Sequence, residues 1–319
     1  MAAPKRSPHV VALGGGHGLA ASLRALRRVT SQVTAVVGVS DNGGSSGRIR
    51  DQFGVVPPGD LRMALAALCG DDEWGSTWAR VLQHRFHSNG DLNGHSLGNL
   101  LITALWEEQH DVVSALEWVG RLLDARGKVL PLALEPLEII ANVRESSGDL
   151  HLVRGQVQVA TTTGSIESVK LEPENPAHCP EAVAAVINSD VVVLGPGSWF
   201  TSVLTHFHVK EMRQALHDTT AKRVLVLNLK AQQGETQGYS PENYLDVMIA
   251  NYPDFRLDAV IADPSHVADQ QRLIQACANV GAHVHFAPVA QSSSDQHDAQ
   301  LLASAYRSVF AHESIGVWQ

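Results

Sequence analysis

With 319 residues, 44% of them hydrophobic and 18% charged, the chain has the composition of a folded protein of one large or two modest domains, not of a disordered segment. A formal net charge of −9 gives no electrostatic footprint for nucleic acid, and no apolar run approaches the ~20 residues that cross a bilayer, so neither is an expected partner. Three scattered cysteines (Cys69, Cys179, Cys277) lack CxxC spacing, and Gly14 to Gly16 interrupt any secretory apolar core; a reducing cytoplasm is expected.

The first predicted strand, HVVALG at 9–14, ends in Gly14, Gly15 and Gly16. His17 and Gly18 then open the amphipathic stretch GLAASLRALRR. Backbone amides at such a helix start approach an anion without Cβ obstruction, so a phosphate or pyrophosphate is the expected guest. The dinucleotide fingerprint is incomplete, since Leu19 stands at the third glycine position, and no GxxxxGK[ST] exists.

The second strand, VTAVVGV at 33–39, leads into SDNGGSSGRIR. In a doubly wound sheet this loop borders the same crevice as the first glycine turn. Asp41 is placed to accept from a ribose hydroxyl or to hold Mg²⁺ through oxygen, while Asn42, Gly43, Gly44, Ser45 and Ser46 suit a backbone nest for phosphate oxygens. In VVPPGDLRMAL, Asp60 reads as a helix N-cap.

Residues 60–126 run helix after helix and are expected to form a helical insertion, a candidate surface for a protein partner. Within it NGHSLGNLLITAL sets His95, Ser96 and Asn99 near a helix start. Residues 129–171 (VLPLAL, LVRGQVQVATTTG, SIESVKLEP) alternate and carry Gly turns, which predicts an antiparallel β extension.

The strand-and-helix alternation returns with VVVLGPGSWFTSVL, where Gly195, Pro196, Gly197 and Ser198 lead to Thr201 and Ser202 at a helix start. Two such turns on parallel strands are expected to grip one diphosphate from either side. His206 and His208 have no nearby third ligand and read as surface or helix-packing residues, not a metal site. RVLVLNL (223–229) ends near Asn228, placed to read an amide or hydroxyl, and the loop AQQGETQGYS presents Glu235, Thr236 and Tyr239, the last a candidate for stacking on a base or sugar. With DAVIAD and HVHFAP as further strands, the expected architecture is α/β: one Rossmann-like domain over 1–319 with a largely parallel sheet, its halves, roughly 1–59 and 180–319, flanking the insertion.

ALGGGHGL, SDNGGSSGRIR, VPPGDLRMALAAL, GHSLGNLLI, LGPGSWFTSVL and LNLKAQQGETQGYS, in that order, resemble the gluconeogenesis factor family, the YvcK proteins, which are related to CofD, the phospholactate transferase of deazaflavin cofactor synthesis. The resemblance implies a Rossmann-like fold, a cytoplasmic protein, and binding of a UDP-linked sugar such as UDP-N-acetylglucosamine, with a role in cell shape and wall synthesis under gluconeogenic growth. By the same resemblance Gly14 to Gly16 look like the nucleotide-phosphate loop, Asp41 like the acidic position at the metal and acceptor site of the transferases, and Asn228 with Gly195 to Ser198 like cleft lining. Two positions depart from the family pattern: Asn42 stands where a second acid is common, and Gln296 stands where a basic residue precedes His297 and Asp298. The expectation is therefore a regulatory nucleotide-sugar binding protein with no catalytic residue assigned; the alternative is a CofD-like, metal-dependent transferase moving a nucleotidyl-linked phosphoryl group to a hydroxyl. Self-association into a homodimer stays open.

Overall fold

A computed structural model describes residues 6–311 apart from 293. The chain begins with β1 (His9–Gly14), α1 (Gly16–Leu26), β2 (Gln32–Val37) and α2 (Gly44–Phe53). Four further helices follow: α3 (Gly59–Leu68), α4 (Glu73–Gln83), α5 (Leu97–Gln109) and α6 (Val112–Leu122). After β3 (Lys128–Pro131) come β4 (Glu138–Arg144), β5 (Leu150–Arg154), α7 (Gln156–Ala160) and β6 (Ser165–Glu172). The last half runs α8 (Pro180–Ile187), β7 (Val191–Leu194), a π turn (Trp199–Val203), α9 (Thr205–His208), α10 (Lys210–Asp218) and β8 (Lys222–Val226). It closes with α11 (Pro241–Asn251), β9 (Ala259–Ala262), α12 (Gln270–Asn279), β10 (His283–Phe286) and α13 (Ala299–Ala311).

Short apolar β-branched runs with no polar face suit strands covered on both sides. Val10 to Leu13, Val192 to Leu194 and Ala259 to Ile261 are accordingly fully buried. At about 1.5–3 kcal/mol for each large side chain taken from water, these runs drive the sheet together. It has seven strands in the order β10-β9-β8-β7-β1-β2-β3, every pair parallel. From β1 the chain winds one way to β2 and β3, then returns beside β1 as β7 and winds the other way. The point of reversal lies between β1 and β7, and ligands of open α/β sheets bind outside the carboxyl ends of the strands at such a point.

Two expectations need correction. VLPLAL does not belong to the antiparallel set: β3 pairs parallel with β2, Thr34 opposite Lys128, and the small antiparallel sheet is β5-β4-β6 alone. Its short apolar alternation is equally compatible with either partner, and burial against α3 and α6 decides. Within LVRGQVQVATTTG only LVR is strand, because Gly155 turns the chain at φ 95° and QVQVA coils into α7. Residues 60–126 hold four helices joined by loops. The first of them, α3, packs on α1, β2 and β3, with α4 and α5 against it and α6 packed on α5 and on β3. Among the described residues no helix is long and apolar enough to cross a membrane.

Candidate functional site

β1 delivers the first glycine turn to the point of reversal. Gly15 is extended, Gly16 takes a left-handed φ of 57°, and α1 starts with its free amides open to a pocket of about 300 Å³. That volume is at the small end of ligand sites and suits a diphosphate with part of what it links. Gly15, Gly16, His17 and Gly18 line one side; Gly197, Ser198, Thr201 and Ser202 line the other. The two turns therefore face each other across one space, as the sequence predicts. They also touch: a Cβ on Gly18 would lie 2.2 Å from the Pro196 carbonyl oxygen.

Asn228 holds the second turn in shape. Its side-chain oxygen accepts from the Gly197 N–H at 2.9 Å and its amide donates to the Gly197 carbonyl at 2.8 Å. Both ends of the side chain are committed to the turn, so its place is behind the cleft wall. Asn228→Ala leaves both Gly197 groups without these partners and is expected to cost about 2 kcal/mol of stability. Chemical denaturation, with Asn228→Asp retaining only the acceptor and falling between, checks it.

The loop SDNGGSSGRIR, expected to cradle phosphate, contributes no residue to the pocket lining, and its polar groups turn into the protein. Ser45 is buried and its hydroxyl accepts from the Ser96 N–H and the Asn99 amide, with His95 Nδ1 3.2 Å away. Asn99 in turn accepts from buried Arg62, and the Ser46 hydroxyl accepts from the Gly59 N–H. Asn42 reaches across to α7, accepting from the Val157 N–H at 3.0 Å and donating to Gln158 at 2.8 Å. Gly43 donates to Asp41 at 2.9 Å, and Gly44 sits exposed at the start of α2. These residues brace the scaffold beside the pocket, and Asp41 to Ser46 stand outside its lining.

Asp60 is the carboxylate that sequence reasoning assigned elsewhere. The N-cap of α3 is Pro58, and no side chain bonds there. Asp60 instead turns toward the first glycine turn, accepts from the Gly16 N–H and lines the pocket. A Cβ on Gly15 would meet its Oδ2 at 2.6 Å, and one on Gly59 would meet Asp41 Oδ2 at 2.5 Å, so both acids crowd the same corner. Burial, then the charge of Asp41, push the Asp60 carboxyl up to about 7 against the opposing Gly16 hydrogen bond and the Arg62 charge. The acid pair that Asn42 removes locally in sequence is thus restored from α3. Of the two only Asp60 lines the pocket, and one or two carboxylates with phosphate and water is the set that Mg²⁺ commonly takes. Among the described residues there is no group of three or more His, Cys, Asp or Glu to cage a metal alone. His206, fully buried, lies 3.1 Å by Nε2 from the Val36 carbonyl and serves packing.

The outer wall had no sequence signal. Gln156, Val157 and Ala160 of α7, Thr161 just after it, and Gln232 of the β8–α11 loop complete the pocket. Gly234 presses on α7, where a Cβ would lie 2.2 Å from the Ala160 carbonyl. Glu235 and Thr236 are buried, Thr236 accepting from the Gln232 N–H at 3.0 Å, and neither reaches the pocket surface. Tyr239 packs edge-on against Phe200 and Tyr244, away from the pocket lining.

Comparison with known proteins places this arrangement. The family model described as 2-phospho-L-lactate transferase CofD matches residues 10–301. A putative gluconeogenesis factor of Mycobacterium leprae is 47% identical over 311 residues, covering 96% of this chain and 87% of the relative. A gluconeogenesis factor of Listeria innocua is 37% identical over 241 residues, covering 76% of this chain and 73% of the relative. The crystal structure of a UPF0052 family protein from Bacillus halodurans superposes with a TM-score of 0.84 at 29% identity, over 95% of this chain and 99% of that one.

Proposed function

The chain belongs to the CofD family and, within it, to the gluconeogenesis factors, and from that membership we propose a cytoplasmic regulatory protein that binds a UDP-linked sugar such as UDP-N-acetylglucosamine. Its role would lie in cell shape and wall synthesis under gluconeogenic growth. The observation that carries the reading is the meeting of two glycine turns around one pocket at the reversal between β1 and β7. The amides of His17 and Gly18 offer donors to a diphosphate, and no side chain in the pocket is an activated nucleophile paired with a base. Titration calorimetry is expected to show saturable one-to-one binding of UDP-N-acetylglucosamine without release of nucleotide. Absence of binding by the folded protein sinks the proposal.

A second reading, the metal-dependent transferase, draws on a separate observation: Asp60 joins Asp41 beside the phosphate cradle. Mg²⁺ held there would neutralise charge that develops on a transferring phosphoryl group. On this reading nucleotide-activated donors with Mg²⁺ and a hydroxyl acceptor release nucleotide, and Asp60→Asn slows release by ~100-fold or more while leaving the fold intact. Chromatography of the nucleotide products separates the two readings.

A further inference from the structure

Among the described residues the pocket lining holds no lysine and no arginine; His17 is its only base and Asp60 its only acid. Arg62, the guanidinium whose charge Asp60 feels, is buried and directs its donors to Asn99 and Gln83. His17, the second residue of α1, is exposed and makes no hydrogen bond or ion pair with the described residues. Ser202, on the opposite wall, is 7% exposed, yet its hydroxyl is neither paired nor sealed from the pocket. It reaches the first glycine turn, since a Cβ on Gly15 would lie 3.4 Å from Ser202 Oγ. Neighbouring hydroxyls differ: Thr205 donates to the Ser202 carbonyl at 2.9 Å and Thr161 to the Val157 carbonyl at 2.8 Å. A buried hydroxyl is normally paired, so one left open on a cavity marks a ligand contact.

Resting on the nucleotide-sugar reading and deepening it, we infer that His17 holds the ligand's diphosphate as the imidazolium, taking up a proton with the ligand, while the Ser202 hydroxyl donates to the same diphosphate from the opposite wall. A diphosphate diester keeps negative charge on both phosphates at neutral pH, and an anion leaves water only for a site that supplies countercharge. The amides of His17 and Gly18 and the positive end of α1 supply part of it, and Asp60 subtracts. A histidine ring gains its proton between pH 8 and 5 and then donates a charge-assisted hydrogen bond. In the empty pocket the α1 dipole opposes that proton; a bound diphosphate reverses the field. Binding therefore tightens as pH falls.

The charged groups around His17 are few. α3 brings Asp60, with Asp41 and Arg62 beside it, and Glu235 lies behind Thr201 of the opposite wall. On α1 itself Arg24 stands seven residues on, about 10 Å along the axis. α13, packed on α1, places Tyr306 on Ser22 and Arg307 on the Arg28 carbonyl, toward the far end, and His9 begins β1 at the opposite edge of the sheet. α7 faces the pocket with Gln156, Val157 and Ala160, none of which titrates. Asp60 alone shares the lining, and its protonation also favours the anion, so the part played by His17 is read as a ratio between variants.

Calorimetry on the full chain in EDTA, at pH 6 and pH 8.5, with UDP-N-acetylglucosamine and with inorganic pyrophosphate, tests this. Wild type is expected to bind the UDP-sugar at least ~tenfold more tightly than His17→Gln at pH 6, and within about threefold of it at pH 8.5. His17→Lys, charged at both pH values, is expected to exceed wild type by about tenfold at pH 8.5. Ser202→Ala should weaken both ligands by about tenfold at either pH. At pH 7, buffers of different ionisation heat should reveal proton uptake by wild type that is reduced in His17→Gln. A wild-type to His17→Gln ratio equal at the two pH values overturns the inference, as does the absence of a gain in His17→Lys, unchanged affinity in Ser202→Ala, or binding that appears only with Mg²⁺. UDP-sugar binding with any of those results refutes this inference alone. Pyrophosphate that follows the expected pattern while the UDP-sugar does not bind refutes the nucleotide-sugar reading alone. Failure of both ligands on every folded form, with and without Mg²⁺, refutes both.

Discussion

Gly18→Ala is expected to destabilise the protein by about 3 kcal/mol and to weaken UDP-sugar binding by ~100-fold or more. The added methyl would lie 2.2 Å from the Pro196 carbonyl oxygen, 2.6 Å from its carbon and 2.7 Å from Gly197 Cα. All three are backbone atoms, so no rotamer change relieves the overlap. Relief requires α1 to move away from the second glycine turn, which Asn228 pins and which the Gly195 N–H ties to Leu13 at 3.2 Å. The same movement spreads the two walls of the pocket. Gly44→Ala is the control: Gly44 has a φ of 49° but no atom within 4 Å of the new methyl, so only backbone strain of about 1 kcal/mol is expected, with binding retained. Denaturant unfolding and calorimetry on both variants read the difference; equal effects would place the cost in local backbone strain, not in the contact between turns.

Glu235→Gln should make the protein more stable at pH 8 by on the order of 3 kcal/mol and bring no gain at pH 4. Burial raises the Glu235 carboxyl from an ordinary 4.5 to about 7, and the Thr201 hydroxyl with the Trp199, Phe200 and Thr201 amides only partly opposes it. Between those values the folded state holds a proton that the unfolded chain has released. Stability therefore falls as pH rises from about 4.5 to about 7, is fully retained below that window, and levels off above it. The neutral variant lacks this slope. Unfolding free energies measured at pH 4, 6 and 8 check it, and a wild-type slope that persists unchanged in Glu235→Gln would refute the assignment.

The fold class was legible because its signals are local. HVVALG, VTAVVGV, VVVLG, RVLVLNL, DAVIAD and HVHFAP each announce a strand by composition, and all six join the parallel sheet. β3 was not legible, since four residues carry too little periodicity to choose a partner. Nor was α7, whose QVQVA alternates like a strand yet coils after the left-handed Gly155. The candidate site divides the same way. Both glycine turns stand where their sequences place them, at the carboxyl ends of adjacent strands, because a strand, a glycine turn and a helix start form one contiguous unit.

What the sequence determined by itself is that framework: a parallel α/β sheet with two anion-type turns, recognisable down to Gly14–Gly16 and Gly195–Ser198. Only the tertiary structure decided how the polar side chains are spent. Asn228 clamps Gly197, 31 positions earlier, and Asn42 caps a helix 115 positions later. Ser45 and Asn99 bond each other inside the scaffold, Asp60 leaves its own helix start to face Gly16, and Glu235 turns its charge onto the amides of Trp199 to Thr201. A buried polar group must find a partner, and which partner it finds depends on which distant segments packing brings within about 3 Å of it. Periodicity and composition carry the backbone's short-range preferences; they hold no record of that proximity.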